Sequence, residues 1–172
     1  GYTGMISSET LAEMKESDPN TEYTSADQIG KTGIEKEYED EQTAIDDIEE
    51  ELDLDVPLIL YRPENFEFRS YNVNVESGYA LMEYYYGQEI VNIYINDYSD
   101  ERKSGAYILD GKEIATVKMK NENINITIKK IQDKNDKKEN YAAYWEKDSV
   151  FYQISGKMQQ SEFIKLVKNI KF

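Results

Sequence analysis

The chain has 172 residues, enough for one domain with its own core, or for one domain and an appendage, and 39% of them are hydrophobic. It holds neither cysteine nor histidine, which excludes disulfides, thiolate nucleophiles, Cys/His zinc sites and histidine-based triads together. The net charge of -15 lives in the N-terminal third, where residues 1–56 carry eighteen acidic and three basic groups against seventeen of each in residues 57–172, so that end repels nucleic acid and anionic lipid.

Residues 1–42 read as an acidic arm, partly helical, that serves as a solvated spacer or as a docking surface for a basic partner. Within it, Ser8 to Glu16 has the pattern of a short helix capped by Ser7 or Ser8 and ended by Asp18-Pro19. A second helix is expected from Ala26 or Ile34 into the acidic run. Residues 43–172 form a single domain. Its first element is a helix over Thr43–Leu54, with Thr43 as cap, Ile45, Ile48 and Leu52 as an apolar stripe, and Pro57 as terminator.

From Pro57 the period changes to two, the mark of half-buried strands. Strands are expected over Leu58–Tyr61, Phe66–Val75, Tyr79–Tyr86 and Ile90–Asp97, with turns at Glu76-Ser77-Gly78 and Gly87-Gln88. Asp110-Gly111 is a hairpin signal between Ala106–Leu109 and Glu113–Met119. Ile124, Ile126 and Ile128 mark a further strand, followed by Tyr141–Glu146 and Val150–Ser155, with Gly156 as a turn or bulge residue. The single tryptophan, Trp145, reads as a core or boundary residue. The chain closes with a helix from Ser161 to Phe172, whose Phe163, Leu166, Val167 and Ile170 share one face. The fold class is therefore α+β: an antiparallel meander of about seven strands, with an N-terminal and a C-terminal amphipathic helix packed on one face.

Two stretches resemble known families. Tyr2-Thr-Gly-Met-Ile-Ser-Ser8, with Ile29-Gly-Lys-Thr-Gly-Ile-Glu-Lys-Glu-Tyr-Glu39, resembles a segment of the dimerisation region of class B penicillin-binding proteins, a non-catalytic part of those synthases. The continuation departs from that family at Glu41-Gln42-Thr43. The order Val56-Pro57, Arg62-Pro-Glu-Asn-Phe66, Tyr84-Tyr-Tyr86, Asp110-Gly111, Ala143-Tyr-Trp145, Tyr152-Gln-Ile-Ser155 and Ser161-Glu-Phe163 is similar to domain-of-unknown-function family 4367. That resemblance covers residues 43–172. It implies an extracytoplasmic, C-terminal domain of membrane-anchored Gram-positive proteins, some of them anti-sigma-factor-like, and carries over no catalytic residue.

The chemistry of the penicillin-binding enzymes needs a serine with a lysine three residues on, and no Ser-x-x-Lys occurs in the chain. Lys31-Thr32-Gly33 and Ser70-Tyr71-Asn72 look like the companion boxes of those enzymes but lack the nucleophile. Glu83 and Glu89 flank a hairpin and read as solvent-face charges, with a carboxylate pair for a glycan hydrolase as the alternative. Asn96-Asp-Tyr-Ser-Asp-Glu101 offers oxygen ligands without the spacing of a calcium loop. Lys129, Lys130, Lys134, Lys137 and Lys138 form a modest basic patch.

Tyr84, Tyr86, Asn92, Tyr94, Asn96 and Tyr98 read first as rings and amides that cover the core or pack under a helix; as a candidate interaction surface, their aromatic rings beside amides suit sugars or peptides. The composition and the resemblances together lead to a non-enzymatic extracytoplasmic sensing or interaction domain. It uses no cofactor and no metal, its partner is a protein or cell-wall ligand, and it meets the membrane only through an anchor outside this sequence. An accessory, non-catalytic module of peptidoglycan synthesis is the alternative.

Overall fold

A computed structural model of the protein describes residues 33–35, 40–99 and 109–172. The expected helix over Ser8–Glu16 and most of the Ala106–Leu109 strand lie outside them. At Ile34, where a helix was expected to begin, Gly33–Glu35 is instead a short strand, β1. Helix α1 spans Glu41–Leu52. Its cap is Asp40, whose carboxylate accepts from the Thr43 backbone N–H at 2.7 Å. Thr43, the expected cap, sits inside the first turn, because a carboxylate three residues earlier already satisfies its N–H. The predicted stripe is buried together with Ala44, and Asp53 ends the helix in the left-handed region at φ 51°.

The strands follow as β2 (Leu58–Ile59), β3 (Phe66–Asn74), β4 (Tyr79–Tyr86), β5 (Glu89–Asp97), β6 (Lys112–Lys118), β7 (Asn125–Ile131), β8 (Asn140–Lys147) and β9 (Val150–Lys157). Helix α2 (Gln160–Lys168) and β10 (Ile170–Lys171) close the chain. The main sheet has eight strands in the order β1-β3-β4-β5-β9-β8-β7-β6, all neighbours antiparallel. The expected meander is thus realised as two, β3–β4–β5 and β6–β7–β8–β9, which meet where β5 pairs β9 with Ile93 opposite Ile154.

Period-two alternation sends Tyr71, Val73, Ala80, Met82, Ile93, Ile95, Ala143, Trp145 and Ile154 to one face of the sheet. Ile48 and Leu52 of α1 and Phe163, Leu166 and Val167 of α2 join them in one core. Both helices cover this face, as their amphipathic patterns predict, and each buried aliphatic side chain contributes about 1.5–3 kcal/mol. The Tyr71 hydroxyl also donates to Asp47 at 2.7 Å, tying the sheet to the acidic side of α1.

Two further expectations change. The C-terminal helix stops at Lys168, not Phe172, because β2 offers a better backbone partner: Leu60 N–H donates to the Asn169 carbonyl at 2.9 Å, and Ile170 pairs with Ile59. Ile170 stays fully buried in its new setting. Asp110-Gly111 is not the turn of a tight hairpin, since the positive-φ glycines among the described residues are Gly78 and Gly87. Glycine is required at 111 for another reason: a Cβ there would lie 2.5 Å from the Lys130 carbonyl oxygen.

Candidate interaction surface

The face of the sheet away from the helices carries side chains of a different kind. Its rows run across β3, β4, β5 and β9. One row is Ser70, Glu83, Asn92 and Ser155; the next is Asn72, Leu81, Tyr94 and Gln153; the third is Asn74, Tyr79, Asn96 and Phe151. All eight polar members are buried, none more than 3% exposed. The strand period put them here, because the same alternation that sends isoleucine and methionine to the helix face sends asparagine to this one.

Aromatic rings make a continuous track through these amides. Tyr79 and Tyr94 have centroids 5.9 Å apart, Tyr94 and Phe151 6.4 Å, and Phe151 and Tyr144 of β8 6.0 Å. Leu109 lies in the same cluster, and its backbone N–H donates to the buried Gln153 Oε1 at 3.1 Å. At the β3–β4 turn Asn74 Oδ1 accepts from the Ser77 backbone N–H at 2.8 Å. The side-chain amides of this face therefore already hold backbone. Both amide atoms of Asn72, both of Asn96, and Ser155 Oγ have no hydrogen-bond partner among the described residues.

The structure splits the six residues singled out from the sequence. Asn92, Tyr94 and Asn96 come together on the amide face, and Tyr98 packs half-buried at its rim. The Tyr98 hydroxyl is held above its ordinary pKa, first by its hydrogen bond to Glu146. Tyr84 and Tyr86 point the other way, into the core beneath the helices. Tyr84 stacks on Phe66 at 4.9 Å and donates its hydroxyl to Glu41 at 2.6 Å, so its polar end is already committed. Sequence reasoning missed Asn72, Asn74, Gln153 and Ser155. Their signal was present as polar residues alternating with apolar ones, which ordinarily marks a solvated face.

The other chemical candidates do not converge. Glu83 belongs to the amide face and is bound by Arg69; Glu89 begins β5 in phase with Val91 and Ile93, on the opposite side, and is bound by Lys138. Two carboxylates on opposite faces cannot flank one glycosidic bond. In the oxygen-rich stretch Asn96–Glu101, Asp97 accepts from both the backbone N–H and the hydroxyl of Ser99, at 2.9 and 2.6 Å; Asp100 and Glu101 lie outside the described residues. Lys129 sits over the Tyr144 ring at 5.2 Å, so the basic patch is partly drawn into packing. Ser70 and Asn72 of the Ser-Tyr-Asn stretch are amide-face residues, whereas Lys31-Thr32 lies outside the described residues. No group of three or more metal-ligating side chains forms among the described residues.

On the helix side, a cleft of about 350 Å³ opens between α1 and the β8–β9 turn, lined by Glu49, Asp53, Asp55, Asp148, Lys147 and Tyr152. Two of its acidic groups are engaged structurally: Glu49 accepts from the Val56 N–H at 3.0 Å, and Asp55 pairs with Lys147 at 3.2 Å. The Tyr152 hydroxyl, raised in pKa by burial and then by the nearby carboxylates, donates to the Asp55 carbonyl at 2.6 Å. The described residues thus bring together neutral donors, acceptors and rings on one face, and no activated nucleophile beside a base is assembled among them.

Residues 56–170 match the family model described as Domain of unknown function (DUF4367), and residues 1–50 match that of the Penicillin-binding Protein dimerisation domain. Both resemblances read from the sequence are thereby found. One match is to a domain of unknown function and the other to a dimerisation domain, and the second ties the N-terminal part to proteins of the cell envelope. No curated protein and no solved structure matches the chain significantly. No helix among the described residues is long and apolar enough to cross a membrane.

Proposed function

The chain belongs to the DUF4367 family, and from that premise we propose that it is a non-catalytic accessory module of cell-wall synthesis, working on the outer side of a bacterial membrane. The observation that carries this reading is the position of α1. Residues 41–50 of that helix fall within the match to the dimerisation domain, yet Ala44, Ile45 and Ile48 are core residues beneath the family domain. A segment akin to a synthase scaffold is therefore built into the fold as one of its layers.

The test is capture of class B penicillin-binding proteins from solubilised membranes by the immobilised chain, beside the same experiment on a chain lacking residues 1–32. Specific capture that is lost on truncation supports the reading. Equal capture by both chains, or none by either, overturns it.

A second reading is favoured by the amide face. Rings of Tyr94, Tyr79 and Phe151 among buried amides suit the recognition of an envelope ligand, as in a sensing domain on a membrane anchor. It predicts binding of peptidoglycan fragments that survives removal of residues 1–32 and is lost on Tyr94→Ala.

A further inference from the structure

We infer that β6, the outer strand of the eight-stranded sheet, is a docking edge for an extended acidic segment of another protein, which joins the sheet as a further strand. The inference does not depend on the proposed function. Among the described residues β6 pairs with β7 alone and ends the strand order. One side of its backbone therefore carries N–H and carbonyl groups outside the ladder. Its residues are exposed or half-buried along the whole strand. β1, at the other end of the sheet, has three residues, too few to template a strand of ordinary length. The middle of β6, Ile114-Ala115-Thr116-Val117, carries no charge, and Ile114, Ala115 and Val117 pack half-buried against the core. The core row of Ile126 and Ile128 on β7 thus ends at apolar side chains that an added strand would cover.

The choice of occupant follows from charge. Lys112 opens β6 and Lys118 closes it, and Lys112 stands directly opposite Lys130 of β7. Like charges opposed in this way weaken a strand pair. Among the described residues no carboxylate pairs with Lys112, Lys118 or Lys130. The strand's one acid, Glu113, stands opposite Lys129 and accepts from the Thr116 hydroxyl at 3.4 Å. A second copy of β6 is a poor occupant, since two such strands paired antiparallel set lysine against lysine at both ends. A phosphate polymer would answer the lysines but has no N–H groups to offer the strand's carbonyls. An extended peptide with carboxylates near its ends and small uncharged residues between them answers both demands. Its backbone bonds hold it, and its charges select it.

The experiment uses the full chain, isotope-enriched, and two synthetic peptides of alternating valine and threonine, one ended by glutamates and the other by lysines. Docking predicts that the glutamate-ended peptide shifts the backbone amide signals of Ile114 to Val117 and leaves those of α2 in place. At saturation it should slow hydrogen exchange of the β6 amides by about tenfold or more. Lys112 and Lys118 are both exposed, so the double variant Lys112→Glu, Lys118→Glu keeps the fold. In that variant the preference reverses: the glutamate-ended peptide binds about tenfold more weakly or worse, and the lysine-ended one binds in its place. No shift with either peptide, or a preference unmoved by the charge reversal, overturns the inference. If polyphosphate displaces the peptide and the peptide slows no β6 amide, the lysines hold anions alone and the inference fails. Slow β6 exchange in the free protein that strengthens as its concentration rises assigns the edge to a second copy and equally overturns it.

Discussion

The Tyr84 hydroxyl lies 2.6 Å from Glu41 Oε2, joining the floor of the core to the first turn of α1. The same carboxylate receives Arg62 through both terminal nitrogens, at 2.7 Å each. One side chain of the helix thus ties down β4 and the segment between β2 and β3. Replacing Tyr84 by Phe keeps the ring and removes the bond to the charged acceptor. The expected loss is about 1.5–3 kcal/mol, read as a lower midpoint of urea unfolding with an unchanged slope. A midpoint equal to that of the parent protein would show that Arg62 alone satisfies Glu41.

Alkaline titration should divide the tyrosines into two groups. Burial, followed by Glu41, holds the Tyr84 phenol well above its ordinary pKa; burial, followed by Glu139, raises Tyr141; burial and then Asp55 raise Tyr152. A phenol with a raised folded-state pKa binds its proton more tightly folded than unfolded. Its contribution to stability is therefore complete below the ordinary phenol value and is lost as pH climbs from about 10 toward the folded value. Ultraviolet titration should show these three ionising only as circular dichroism reports unfolding. Their reversible ionisation in folded protein would contradict the burial.

Much of this architecture was legible because two periods dominate it. The stripe of Ile45, Ile48 and Leu52 and the alternation of Val91, Ile93 and Ile95 each specify an element and the face it buries. The pairing of β5 with β9 was not legible, since any two strands with one apolar face can pair and the choice depends on the whole sheet. The end of α2 was missed because the competing partner, β2, lies more than a hundred residues earlier. Of the six candidate surface residues, strand parity in the sequence already separated Tyr84 and Tyr86 from the amide row. What parity does not state is which face is roofed by helices, nor that Asn72, Asn92 and Asn96 are buried on the other.

Gly111 distinguishes two explanations of the Asp-Gly stretch. A hairpin turn would require a left-handed glycine and would tolerate a D-residue there. The structure instead requires the absence of a side chain, because the Lys130 carbonyl and Ile131 Cδ1 stand 2.5 and 3.1 Å from where Cβ would be. The nearer atom is backbone and cannot rotate away. Gly111→Ala should destabilise by about 1–3 kcal/mol through overpacking, while Asp110→Ala changes little. Equal effects of the two substitutions in thermal unfolding would return the stretch to a turn role.

The cap of α1 gives the chain an acid-sensitive point. The Thr43 backbone N–H, and then its hydroxyl, hold the Asp40 carboxyl below its ordinary pKa. A depressed folded-state value means the contribution is present above the unfolded carboxylate range and disappears as pH falls through the folded value. Asp40→Ala should therefore lower the melting temperature at neutral pH, with the gap from the parent narrowing below about pH 4. A gap that stays constant across that range would mean that the cap acts without its charge.

Ile48 tests whether the two family matches describe one folded unit. Its side chain is fully buried in the core that also contains Met82, Ile93 and Phe163, although its sequence lies in the match to the dimerisation domain. If α1 were an appendage, Ile48→Ala would leave the sheet intact and alter only local helicity. As a layer of the core, the helix should couple the whole domain to that methyl-bearing chain, at a cost of about 2–5 kcal/mol. The indole of Trp145, stacked on Tyr152 at 5.5 Å on the same face, is the reporter for the sheet. Loss of its fluorescence signature and of far-ultraviolet ellipticity should coincide in the variant, both at a lower denaturant concentration than in the parent. Two separated transitions, with Trp145 retaining the parent midpoint, would show that the helix unfolds by itself and that the N-terminal match stands outside the domain.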